Sequence, residues 1–317
     1  MPPLATEIDY FDLHFLGQPG IIATAILHGR DGVALIDPGP STTLPHLRSA
    51  LADRGFTPAD VRAILLTHIH LDHAGCTGVL LDECPRAEVF VHERGAPHLV
   101  DPSKLIASAS RLYAPDMERL WGEIRPVPAG RVRPFVGRTE LQSALHLPPI
   151  TVVGHDLHVA WTPGHAWHHV SYFAPSAKIA FVGDTAGICR PSGRVVLPPT
   201  PPPDIDLEAW RTSTDLILAW NPDVLFLTHF GPQASPRVHL QDLWKRMDDW
   251  SRRVQALLAR PGTDEDHARE FTASVTDELV RSTSRDEARA YASAARFDFS
   301  WTGLARYWKK KTATSPS

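Results

Sequence analysis

The chain has 317 residues, 32 Lys+Arg against 36 Asp+Glu, a formal net charge of -4, and 43% hydrophobic residues. That balance suits a folded enzyme of one large domain, or one domain with an appendage, and excludes a strongly basic nucleic-acid binder. No apolar run approaches the roughly 20 residues that a bilayer-spanning helix requires.

In chain order, the segments from Ile8 to Leu16 and from Ile21 to Leu27 predict strands, rich in aromatic and branched side chains. Val33 to Ile36 is a short apolar run that ends at the turn Asp37-Pro38-Gly39. Leu44, Leu47 and Leu51 recur at helical spacing. Ala63 to Leu66 predicts a buried strand and Glu88 to Val91 another, and the pattern turns helical from Glu93 to Glu123, with Asp101-Pro102 as an N-cap and a first-turn proline. Strand signals return at Thr151 to Val153, Leu157 to Trp161, Val170 to Phe173 and Ile179 to Val182. A stiff proline-rich loop from Pro198 to Pro203 precedes a helix from Leu207 to Ala219 and a last core strand from Val224 to Leu227. Beyond about Pro236 only helices are expected: Leu240 to Leu258, one opened by a Thr263–Asp266 capping box, Arg285 to Ala295, and Leu304 to Trp308. The expected organisation is a domain over 1–236 with a helical insert at about 93–123, then a helical appendage over 237–317. The run Lys309 to Lys311 reads as a solvated tail.

Cys76, Cys84 and Cys189 are too few, and odd in number, for a disulfide framework. The first ten residues lack the basic and apolar blocks of a signal peptide. Both features point to the cytoplasm.

The segment that carries chemistry is Thr67-His68-Ile69-His70-Leu71-Asp72-His73, directly after an apolar strand. At an extended strand end alternate side chains share a face, so His68 and His70 can reach one ion together. Where the chain turns into a helix, Asp72 and His73 point to a neighbouring place. One short segment thus offers two ligand sets of the imidazole and carboxylate type that zinc and similar divalent ions accept.

This segment resembles the signature of the metallo-β-lactamase fold superfamily, and four further stretches resemble its other motifs in the expected order: Ile36-Asp37-Pro38-Gly39, Thr162-Pro163-Gly164-His165, Phe181-Val182-Gly183-Asp184-Thr185 and Leu227-Thr228-His229-Phe230-Gly231. The resemblance spans about residues 10–232. It implies a four-layer αβ/βα sandwich in which His68, His70 and His165 hold a first metal, Asp72, His73 and His229 hold a second, and Asp184 bridges them. Asp37 is implied either as a turn-former or as a partner of a ligand histidine, and His168 and His169 as neighbours that orient or pack. The implied cofactors are two divalent ions, zinc foremost, with iron or manganese also compatible with the donor set.

Two divalent ions can share a bridging hydroxide whose pKa falls toward about 7, so no serine or cysteine nucleophile is required. Asp72 is the candidate proton carrier to the leaving group and Asp184 the candidate bridge. Fold does not choose the substrate. The apolar stripe Leu105, Leu112, Tyr113, Met117, Leu120 and Trp121, together with Trp167, Phe230 and the proline-rich loop, is the candidate cleft wall and favours a small ester, thioester or lactone, similar to glyoxalase II-like members. A phosphodiesterase or nuclease would instead call on Arg111, Arg190 and Arg194. A non-catalytic metal-binding module is the reading from another class, and metal analysis separates it.

Overall fold

A computed structural model of the chain describes residues 4–136, 146–192 and 195–314. Among the described residues, twelve strands form two mixed six-stranded sheets. The first runs β1 (Ile8–Asp12), β2 (Ala23–Gly29), β3 (Gly32–Ile36), β4 (Val61–Leu65), β5 (Glu88–His92), β6 (Val132–Phe135), in sequence order. The second runs β12 (Gly231–Ala234), β11 (Val224–Leu227), β10 (Ile179–Phe181), β9 (Val170–Ala174), β8 (His155–Trp161), β7 (His146–Val152).

Alternation along each strand decides what each sheet face meets. In β2, Ala23, Ala25 and Leu27 enter the core between the sheets, while Ile26 joins the outer core. In β3, Ala34 and Ile36 face inward and Val33 and Leu35 outward. Strands covered on both faces read as nearly continuous apolar runs, which is why Val33 to Ile36 and Ala63 to Leu66 stand out in the sequence. Between the sheets, Leu27, Ile36 and Leu65 share one cluster with Tyr172, Phe181 and Phe226.

Helices close both outer faces. The first sheet is covered by α1 (Leu44–Ala52), whose Leu44, Leu47 and Leu51 share its outer core. The short helices α2 (Leu71–Ala74), α3 (Thr77–Leu80) and α4 (Ala96–Val100) lie on the connections of that half, followed by α5 (Ser103–Tyr113) and α6 (Met117–Trp121). The second sheet is covered by α7 (Leu207–Ala219) and α8 (Pro236–Leu258), through Ile217, Leu240 and Leu243. The result is an α/β sandwich of four layers, αβ/βα.

Three more helices, α9 (Asp264–Ser282), α10 (Arg285–Ala295) and α11 (Phe297–Thr314), gather on α8 around Trp250, Phe271, Tyr291 and Trp301. That cluster also takes in Trp210 of α7 and Leu197, so it is continuous with the outer layer of the second sheet. The Thr263 capping box forms with both of its bonds, Asp266 N to Thr263 Oγ1 at 3.1 Å and Thr263 N to Asp266 Oδ2 at 3.4 Å.

Some sequence expectations are corrected. Val224–Leu227 is not the last strand: β12 pairs antiparallel with it at the sheet edge, where Pro232 is tolerated. β6, with Arg133 and Pro134 at its centre, gave no apolar run to read. The helix after Asp101 begins at Ser103 rather than at the proline, although the Asp101 carboxylate still accepts from Ser103 N at 3.1 Å. Lys309 to Lys311 is no free tail, because it continues α11, with Lys309 paired to Asp264 and Lys311 to Glu208. Among the described residues no helix is long and apolar enough to cross a membrane.

Candidate metal centre

The candidate ligands sit just beyond strand ends, where the backbone leaves the ladder and side chains are free to converge. His68 and His70 follow β4, Asp72 and His73 open α2, His165 follows β8, Asp184 follows β10 and His229 follows β11. Glycines permit two of these turns. Gly183 has a φ of 46° and packs against Thr67 and His169. Gly164 has a φ of 136°, and a Cβ there would lie 2.3 Å from Cα of Trp210 on α7. Gly164→Ala must therefore push α7 away from the His165 loop. The expected outcome is a drop in Tm together with weakened metal binding, read by thermal melts with and without added metal. Unchanged values in both would refute this account of the turn.

All seven candidates converge in two groups: His68, His70, His165 and Asp184, and Asp72, His73 and His229. Each group offers ligand atoms within 4.8 Å of one another. Asp184 reaches both. Its Oδ2 lies 3.2 Å from Nε2 of His165, and its Oδ1 lies 3.3 Å from Nε2 of His73 and 3.5 Å from Nε2 of His229. Asp72 Oδ2 lies 3.3 Å from Nε2 of His229.

The histidine tautomers are assigned from their outer hydrogen bonds. His165 Nδ1 donates to Pro199 O at 2.8 Å and His229 Nδ1 to Ile21 O at 2.8 Å. His73 Nδ1 donates to Asp37 Oδ2 at 2.8 Å. Thr67 Oγ1 spends its hydrogen on Asp37 Oδ2 at 2.7 Å, so at 3.1 Å it accepts from His68 Nδ1. Four imidazoles thus carry their proton outward and turn the Nε2 lone pair to the centre, the arrangement that fixes a ligand histidine. Nε2 of His68 and of His165 lie 2.9 and 3.0 Å from Nδ1 of His70, too close for lone pairs alone. His73 Nε2 and Asp184 Oδ1 are buried with no hydrogen-bond partner. Converging lone pairs and orphaned buried acceptors are what a cation satisfies, so the residues fit a metal pair.

Charge is distributed to match. Burial, then the neighbouring imidazoles, hold His68 well below the usual histidine range, and burial with His165 brings His70 down to about 3. Burial works against a charged Asp184, but His73, His165 and His229 outweigh it and keep the carboxyl well below its usual range. Burial likewise opposes a charged His73, and Asp184, Asp72 and Asp37 outweigh it.

Asp37, His168 and His169 take distinct places around the two groups. Asp37, fully buried, accepts from Thr67 N at 2.8 Å and from Thr228 Oγ1 at 2.7 Å, besides Thr67 Oγ1 and His73. It therefore ties the ends of β3, β4 and β11 to one histidine. His169 faces Thr162 Oγ1 at 2.9 Å and accepts from Asp184 N at 3.3 Å. His168 accepts from Ile69 N at 3.5 Å, and neither histidine belongs to the two groups.

A cleft of about 290 Å³ opens over the centre, reached by His70, Asp72, His165, Asp184 and His229. From the insert, Leu105, Leu112, Tyr113 and Trp121 line it, and Pro201 to Pro203 form another wall. Met117 and Leu120 pack against the outer core instead. Trp167 and Phe230 are not wall residues. Trp167 packs on Trp161 and Arg94, and Phe230 is buried between the sheets. Of the arginines considered for an anionic substrate, Arg190 bonds to Gly20 O, and neither it nor Arg111 lines the cleft. Arg194 lies outside the described residues.

What sequence reading missed is the contribution of the last helices. Arg296 and Phe299, at the junction of α10 and α11, line the cleft, as do Lys104 and Asp204. The Arg296 guanidinium pairs with Asp298 at 2.8 Å and lies 4.1 Å from the Phe299 ring centroid. No local pattern marks Arg296-Phe297-Asp298-Phe299 as cleft-facing, because only the packing of α11 brings it there.

Comparison with known proteins agrees with this geometry. The family description "Metallo-beta-lactamase superfamily" matches residues 17–229. A metallo-beta-lactamase fold-containing protein of Sulfurisphaera tokodaii is 28% identical over 232 residues, 71% of this chain and 79% of that protein. A hydroxyacylglutathione hydrolase of Legionella pneumophila is 26% identical over 150 residues, 47% of this chain and 41% of that protein. Among solved structures, a metallo-beta-lactamase family protein from Thermus thermophilus superposes with a TM-score of 0.67 at 23% identity, covering 93% of this chain and 91% of its own, a likeness of fold.

Proposed function

This chain belongs to the metallo-beta-lactamase superfamily, and on that premise we propose that it is a dinuclear-metal hydrolase of a small ester, thioester or lactone. His68, His70 and His165 would hold one ion, Asp72, His73 and His229 the other, and Asp184 would serve both. The observation that carries the reading is the set of four outward-protonated imidazoles whose Nε2 atoms converge on Asp184 and its neighbours. When bound, divalent ions supply Lewis acidity and a water acidic enough to act as a nucleophile at neutral pH. The donor set of imidazole and carboxylate suits zinc best and also accepts iron or manganese.

The rest falls to the chain's own residues. His165 and His229 are anchored on backbone carbonyls, so their rings do not turn away when a ligand leaves. Asp72 is more open than Asp184, with 27% of its side chain exposed, and it faces the cleft, where it can carry a proton to a leaving group. Leu105, Leu112, Tyr113, Trp121 and Phe299 exclude water and offer apolar contact to an acyl group. The similarity to a hydroxyacylglutathione hydrolase supports an acyl substrate. The division expected at 236 is moved: α8 closes the second sheet, so we take the sandwich with α8 as the catalytic unit and α9 to α11 as the appendage, whose α10–α11 junction lends Arg296 and Phe299 to the wall.

A phosphodiester reading has one observation in its favour, the placement of Lys104 and Arg296 at the cleft. The bidentate pairing of Arg296 with Asp298 neutralises much of that field. The test is a metal analysis of purified protein followed by a panel of thioesters, lactones, aryl esters, β-lactams and a phosphodiester. About two divalent ions per chain, chelator-sensitive turnover and the highest kcat/KM on an acyl substrate are expected. Well under one ion per chain after metal supply would sink the metal centre. Fastest turnover of the phosphodiester would replace the acyl reading.

A further inference from the structure

Tyr113 closes α5 and occupies a place that the metal centre alone does not explain. Its ring is braced on two sides, edge-on to Trp121 at 5.1 Å and to Phe299 at 5.3 Å between centroids. Trp121 is in turn stacked on Phe15 at 5.7 Å, which ties the pair to the outer core of the first sheet. The side chain is half-buried, and its hydroxyl hydrogen-bonds to none of the described residues. It lines the same cleft as His70, Asp72, Asp184 and His229.

The hydroxyl is not sealed in the interior: it stays open to the cleft with its donor unused by the protein. Here two aromatic side chains, Trp121 and Phe299, hold the ring while the donor is left open to the cleft. A group fixed in advance on the wall of the cleft over the centre suits a donor to developing negative charge. In acyl transfer that charge develops on the carbonyl oxygen.

We propose that Tyr113 is a catalytic residue that donates a hydrogen bond from its hydroxyl to the carbonyl oxygen of the acyl substrate as that oxygen becomes negative, with Phe299 of α11 as the positioning residue that braces it. The proposal rests on the acyl-hydrolase reading above. No proton is transferred: the phenol stays protonated and the bond only strengthens. It also gives the last helix a function, since without Phe299 one side of the Tyr113 ring loses its support.

The test uses the metal-loaded full chain and Tyr113→Phe, which keeps the ring and removes the donor. Metal content and Tm should equal those of the wild type. With a series of aryl esters of differing leaving-group pKa, kcat should fall about 10²-fold for every member, so that the dependence on leaving group keeps its slope. A loss that grows for poorer leaving groups would move the bond to the leaving atom and overturn the assignment, as would an unchanged kcat. Phe299→Ala should lower kcat in the wild type and change it little in the Tyr113→Phe background, whereas a merely structural role would give additive losses. A measurement without turnover accompanies these: binding of butyl trifluoromethyl ketone, which forms a tetrahedral hydrate, followed by calorimetry. The wild type should bind it at least tenfold more tightly than Tyr113→Phe, and equal affinity would overturn the proposal. If the wild type hydrolysed a phosphodiester and no acyl ester, the acyl reading would fall. The ketone result would still decide whether Tyr113 donates to a carbonyl-derived oxygen.

Discussion

Asp184→Ala should lose both metal ions and, with them, on the order of 10³-fold in kcat/KM, about 4 kcal/mol of transition-state stabilisation. The expectation follows from the way its two oxygens divide between the groups, Oδ2 toward His165 and Oδ1 toward His73 and His229. No other described residue belongs to one group and also reaches two histidines of the centre from separate oxygens. The paired control is His169→Ala. His169 holds the backbone N–H of Asp184 and the Thr162 hydroxyl, so its loss should loosen the aspartate without removing a ligand. Metal stoichiometry should stay near two and affinity fall about 10- to 100-fold, the usual cost of a lost outer partner. Metal analysis after gel filtration reads both variants. Retention of two ions by Asp184→Ala, with loss from His169→Ala, would show that the ligand set is drawn on the wrong residues.

Asp37→Ala should be the most destabilising single change near the site. The carboxylate is fully buried and accepts four hydrogen bonds, from Thr67 N, Thr67 Oγ1, Thr228 Oγ1 and His73 Nδ1. Alanine leaves those donors without a partner in the interior, at about 3–5 kcal/mol for a buried network losing its charged member. In a chain of this size that corresponds to a Tm lower by roughly 10 °C. His73 also loses the acceptor that keeps its proton on Nδ1, so metal binding should weaken independently of stability. Asp37→Asn, which preserves shape, separates the two effects. It should fold well enough to measure and still bind metal about 10- to 100-fold more weakly. Should Asp37→Ala melt with the wild type and bind metal equally, the carboxylate is only a turn residue.

Much of the fold could be read because strand burial leaves a linear trace. Val33 to Ile36, Val170 to Phe173 and Val224 to Leu227 are apolar because both faces of each strand are covered, and Leu207 to Ala219 shows helical spacing because one face packs on a sheet. Two of the edge strands leave little trace. β6 and β12 need backbone pairing on one side and little burial, so Val132-Arg133-Pro134-Phe135 and Gly231-Pro232-Gln233-Ala234 do not stand out.

The candidate metal-binding segment His68 to His73 was legible alone, since four donor residues within six positions after a buried strand leave few other readings. His165, Asp184 and His229 were legible only through likeness to a family pattern. Nothing local separates His165 from His168 and His169, and what sets it apart is the Pro199 carbonyl that turns its Nε2 inward. The same holds for Asp37, whose role as the acceptor for His73 depends on β3 and β4 lying side by side.

The cleft wall was decided by tertiary structure throughout. Trp167 and Phe230 lie next to ligand residues in sequence and point elsewhere, while Arg296 and Phe299, more than sixty positions beyond the last ligand motif, complete the cleft. By itself, then, the sequence determined the sandwich and the donor chemistry, because burial and ligand spacing are written in short stretches of chain. Which side chains face the substrate was left to the docking of α11 against α5, a contact between segments about 180 residues apart that no short stretch can encode.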